Sequence, residues 1–185
     1  MRIKFPLLAC LMIFTSIAGI AANGIVYQDK PTEDAANLVT KYTLSGDADK
    51  EVYVKKLEGM TIKYPNDINI RNMYANILIA DKKYSSGLEQ LEIVNKVNPK
   101  PVSKLTECML AERNGKNETS CYKEAVSLFE KKNKNDDNYI IALNLSGDPR
   151  FEVEKNKLES SEKLTEAQRN ILSMSRGELI SSIFP

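Results

Sequence analysis

The chain has 185 residues, with 26 Lys and Arg against 25 Asp and Glu, and it contains neither histidine nor tryptophan. Without histidine, Ser-His-Asp and Cys-His catalytic units and His-containing zinc sites are excluded, and a formal charge of +1 gives no electrostatic drive toward nucleic acid or an anionic membrane surface. The length fits one domain, with enough apolar content to bury a core unaided, so neither a cofactor nor a metal is expected.

The N-terminus carries Arg2 and Lys4, then an apolar run from Phe5 to Ala22, and no charge until Asp29. This pattern reads as an export signal, in one of two forms. A cleaved signal peptide would end in the small residues Ala18, Gly19, Ala21 and Ala22. An uncleaved anchor would be one N-terminal hydrophobic helix, and the run is longer than the roughly 7 to 15 residues of a signal core and near the ~20 that cross a bilayer. In both forms the basic start keeps the N-terminus inside and puts the rest outside the cytoplasm. Residues 1–29 are therefore expected to be a signal peptide or membrane anchor. The bulk of the chain then lies in the periplasm or on the periplasmic side of the inner membrane. Leu7-Leu8-Ala9-Cys10 looks superficially like a lipidation motif, but few residues precede Cys10 and the apolar run continues past it.

From about Asp34 to Pro65 a first unit runs through Leu44, Gly46, Tyr53, Leu57 and Met60. The next segment, INIRNMYANILIADKKYSSGLEQLEIVNKVNP at residues 68–99, repeats the plan, and Pro65 and Pro99 stand 34 residues apart. Tyr74, Ala75 and Leu78 occupy one helical pattern, Tyr84 a turn, and Gly87, Leu91, Val94 and Pro99 a second helix and its end. This segment resembles a tetratricopeptide repeat, whose period is 34 residues. The resemblance implies paired helices brought close by the small Ala75 and Gly87. Glycine at Gly87 departs from the family's alanine, and the outer units match more weakly. The other reading is an ordinary helical bundle with two prolines at the repeat spacing. Strands are not expected, because β-branched alternation is nowhere sustained.

The third unit, from about Val102 to Lys132, matches through Tyr122, Ala125 and Phe129, with a lengthened turn at KNETS. It holds Cys108 and Cys121, nearly equidistant from the turn signal Asn114-Gly115. Two cysteines cannot fill a four-ligand zinc site, and an oxidising compartment favours their pairing. A disulfide across a helical hairpin is expected; the other reading is two unpaired buried thiols. After a solvated connection, KKNKNDDN at 131–138, Gly147 breaks the chain and Asp148-Pro149 restarts it. Thr165 to Gln168 then forms a capping box. The expected fold is all-α: a tetratricopeptide-like α-solenoid of about three helical hairpins over residues 30–135, closed by C-terminal capping helices over 136–185.

Catalytic chemistry is thin. Ser160 and Lys163 have a Ser-x-x-Lys spacing that a serine acylase could use, yet among so many charges that lysine stays protonated. The sequons at Asn117 and Asn144 carry meaning only in a eukaryotic secretory path. No catalytic residue is expected. The family's first helices line a concave groove, and the resemblance places Asn69, Asn72 and Asn76 there, flanked by Tyr42 and by Thr106 and Arg113. Their amides both donate and accept. The resulting expectation is a non-enzymatic module binding another protein outside the cytoplasm. A bacterial immunity protein that neutralises a toxin or effector is the concrete version, and an envelope or secretion-system assembly factor is the alternative. A hydrolase comes last. No nucleic acid is expected as a partner, and membrane contact only through an uncleaved N-terminal segment.

Overall fold

The computed structural model describes residues 29–116, 119–132, 134, 136–160 and 164–185. Apart from Asp29, the N-terminal segment lies outside the described residues, as do Lys163 and Asn117. Ten helices and no strand are present among the described residues, and none of these helices is long and apolar enough to cross a membrane. The chain divides into two compact units between Pro99 and Lys100. The first unit contains α1 (Lys30–Leu44), α2 (Asp47–Lys63), α3 (Ile68–Ala80) and α4 (Tyr84–Val97). The second contains α5 (Pro101–Arg113), α6 (Thr119–Lys132), α7 (Asp137–Ser146), α8 (Arg150–Ser160), α9 (Glu166–Ser173) and α10 (Arg176–Ile183).

Local chemistry explains where these helices start. Asp29, Asp67 and Asp136 precede α1, α3 and α7, and each carboxylate accepts backbone N–H groups that the first turn leaves unpaired. Thr165 and Ser175 close full capping boxes with Gln168 and Glu178. Asp148 restarts the chain at α8, its Oδ1 accepting from the backbone N–H of Arg150 at 2.9 Å.

The ends of α3, α5 and α7 share one stop signal. In each, a residue of positive φ is followed by a backbone N–H that reaches back five residues: Lys83 to Leu78, Lys116 to Ala111 and Asp148 to Leu143. This closure requires a left-handed residue, which costs a side chain strain and glycine nothing. Gly115 and Gly147 fill that place in two of the three, with φ of 84° and 68°, whereas the α3–α4 turn uses Lys82 at φ 60°. Lys82→Gly is therefore expected to raise stability by about 1 kcal/mol, seen as a higher midpoint in urea at unchanged slope; a lowered midpoint would contradict it.

Packing follows from the apolar stripes. In the first unit Ala35 and Tyr42 of α1, Val54 and Leu57 of α2, and Ile70, Tyr74, Ile77 and Leu78 of α3 form one buried cluster, and Leu88, Leu91 and Val94 of α4 are also buried. Helices α3 and α4 come very close: a Cβ on Gly87 would stand 2.7 Å from Ile79 Cγ1 and 3.5 Å from the Ala75 carbonyl oxygen. Alanine there gains helix propensity but collides with Ile79. This collision accounts physically for glycine at that position.

In the second unit Cys108 and Cys121 are bonded, tying α5 to α6 with Cα atoms 5.6 Å apart. Behind them lie Leu105 and Leu110 of α5 and Tyr122 and Phe129 of α6. Helix α7 is the most apolar part of the stretch expected to form the cap. Ile140, Ile141, Ala142, Leu143 and Leu145 are all buried, because DNYIIALNLS is apolar on nearly every side and packs against α6 and α8. Together α7 and α8 make a further hairpin, leaving α9 and α10 as the terminal elements.

Candidate partner-binding face

Helix α3 turns Ile70, Tyr74, Ala75, Ile77 and Leu78 inward. Steps of three and four residues place Asn69, Asn72 and Asn76 on a different stripe. Asn69 is exposed, and Asn72 and Asn76 are half-buried. Hydrogen bonds around the start of α3 use the backbone of Asn69 and the carboxylate of Asp67. No hydrogen bond joins the three side-chain amides to another described residue. Each retains donors and an acceptor for a ligand.

The expected flanking residues Tyr42, Thr106 and Arg113 each make a hydrogen bond within the chain. Tyr42 is 7% exposed and donates its hydroxyl to the Asp81 carboxylate, while Lys50 Nζ lies 5.6 Å from its ring centroid. Burial, and then the hydrogen bond to Asp81, push the phenol far above its ordinary range. Its role is to tie the end of α1 to the α3–α4 turn. Lys83 continues that network, with Nζ 3.0 Å from Glu51 Oε2 and 3.7 Å from Asp81 Oδ2. Thr106 is 5% exposed, and its hydroxyl donates to the Val102 carbonyl at 2.9 Å. Arg113 is exposed, but its Nε donates to the Phe184 carbonyl at 2.9 Å. Of the six residues, then, the three asparagines share one stripe of α3, Tyr42 lies on α1, and Thr106 and Arg113 belong to the other unit.

A second cluster, which sequence reasoning missed, sits in the second unit. Arg176 donates to both oxygens of Glu112, at 2.6 Å through Nε and 2.7 Å through Nη2, and to the Leu145 carbonyl at 2.6 Å. Tyr122 donates to the same carboxylate at 2.6 Å, and the guanidinium stacks 4.9 Å from the Tyr122 ring. Burial alone would raise the Glu112 carboxyl, but Arg176 and then Tyr122 outweigh it and hold the group below its ordinary value. Burial and the bond to Glu112 push the Tyr122 hydroxyl up. With a sequence separation of 64 between Glu112 and Arg176, no local pattern announces the pair.

Comparison with family models, curated proteins and solved structures returned no match. Among the described residues no group of His, Cys, Asp and Glu is placed to hold a metal ion. Ser160 is exposed and donates to the Asn156 carbonyl at 2.7 Å.

Proposed function

We propose that this chain is a non-enzymatic, tetratricopeptide-like module that binds another protein outside the cytoplasm, most concretely a bacterial immunity protein that neutralises a toxin or effector in the periplasm. The observation that carries the reading is the Asn69, Asn72 and Asn76 stripe with its uncommitted amides. Asparagine is a mediocre helix former, so three on one stripe of α3 are not explained by helix stability. Hairpins that begin at Lys30, Ile68, Pro101 and Asp137, each roughly one repeat length after the last, support the repeat reading. The Cys108–Cys121 bond suits an oxidising compartment.

Assembly of an envelope or secretion apparatus is the second reading. It draws support from exposed apolar side chains in the first unit, with Leu44 81%, Ile62 75% and Val97 67% exposed, since such side chains favour association. Replacing all three asparagines with alanine tests the first reading. The fold should persist, because alanine is the better helix former, while each polar group left unpaired on a partner costs about 1 to 3 kcal/mol. Capture from envelope extracts should lose one tight partner, and cells expressing the triple variant at normal levels should again be killed. Unchanged capture would move the interface elsewhere, and several envelope subunits in place of one toxin would favour assembly.

A further inference from the structure

The C-terminal helix of the second unit is built as a ligand is built. Arg176, Leu179, Ile180, Ile183 and Phe184 recur at helical spacing and form one stripe. Leu179 is 0%, Ile180 4%, Ile183 7% and Phe184 2% exposed, while Gly177, Glu178, Ser181 and Pro185 on the remaining side are exposed. The receiving surface is α5, which supplies Glu112 to the Arg176 guanidinium and Arg113 to the Phe184 carbonyl; the end of α7 adds the Leu145 carbonyl. The two helices that lead to α10 bury far fewer side chains. Helix α8 has no buried residue and carries Val153 at 53% exposure, and α9 has one buried residue, Leu172. An eight-residue helix is not stable by itself in water, so α10 exists because this face holds it.

We propose that the α5 face of the second unit is a receptor for a short amphipathic helix with a cation one turn ahead of a Leu-Ile-x-x-Ile-Phe stripe, and that residues 175–185 occupy it as a tethered plug which a partner's helix displaces. A tether keeps the chain's own helix at high effective concentration, so a free helix competes only when it binds better or when the plug is weakened. The proposal rests on the protein-binding reading above and names the chemistry of the partner. Glu112 selects the cation, and the apolar face takes the stripe.

The probe is a labelled synthetic peptide of residues 174–185, added to the full chain. The wild type should bind it weakly. Arg176→Ala frees Glu112 for the peptide's own arginine and should bind it at least about tenfold more tightly. Adding Glu112→Gln to that variant should reverse the gain. A folded Arg176→Ala chain that binds no better than wild type, or a gain that survives Glu112→Gln, overturns the proposal. Amide exchange in the wild type decides the matter even if the variants unfold. Opening of α10 ahead of α5 and α6 supports a displaceable plug, whereas protection of α10 equal to theirs shows a permanent part of the core and refutes it. A dimer with α10 of one copy cross-linked to α5 of the other would assign the face to a second copy and refute a foreign helix. Because no partner enters these measurements, their failure leaves the asparagine test untouched.

Discussion

Replacing Cys108 and Cys121 together with alanine is expected to lower the unfolding free energy by about 3 kcal/mol, the loop-closure value for a bridge of this span. The sequence separation is 13 residues, and the bridge keeps α5 and α6 close in the unfolded chain as well as in the folded one. Alanine is the better replacement because Cys108 is 2% exposed, and a serine there would bury a hydroxyl needing a new partner. A strong reductant on the wild type should produce a loss of the same order, and the loss should vanish when it is added to the double variant. A reductant effect that persists in the double variant would show that the bond is not its source. Peptide mapping without reduction should recover residues 108 and 121 in one linked species; free thiols there would overturn the assignment.

The second large effect is expected at Glu112. Its carboxylate accepts three charge-assisted or phenolic bonds, from Arg176 twice and from Tyr122. The side chains of Arg176 and Glu112 are 33% and 16% exposed. Glu112→Gln keeps the shape but removes the negative charge that faces the half-covered guanidinium. About 2 kcal/mol should be lost at neutral pH, below the cost for a fully buried pair because solvent still reaches the arginine. The pH dependence has a definite sign. Glu112 titrates below its ordinary value of 4.5 when folded, so its contribution is complete above that value and is lost as pH falls through the folded-state titration. Wild type and Glu112→Gln should therefore converge in stability toward strongly acidic pH. A gap of constant size across the acid range would show that the carboxylate charge is not what Arg176 reads.

Local sequence was enough to determine the helical class, the helix boundaries marked by Asn114-Gly115 and Gly147 and the capping box at Thr165; the close approach at Gly87 was implied by the repeat resemblance, and the Cys108–Cys121 pairing was one of two readings, the one the structure bears out. The boundaries and the box are decided within a few residues: a left-handed residue must be glycine to avoid strain, and orphan N–H groups need a short polar acceptor. Helical periodicity puts Asn69, Asn72 and Asn76 on one side of their helix, while their place in a groove was an implication of the repeat resemblance. Which polar residues stay available was decided by tertiary contacts. The resemblance put Tyr42 beside a groove, and its hydroxyl meets Asp81, 39 residues later. Arg113 is occupied by Phe184, 71 residues later, and Arg176 finds Glu112 across 64. The burial of α7 was likewise settled by packing, because a helix apolar on almost all sides is stable only where neighbours cover it, and which neighbours do so depends on how the chain folds back.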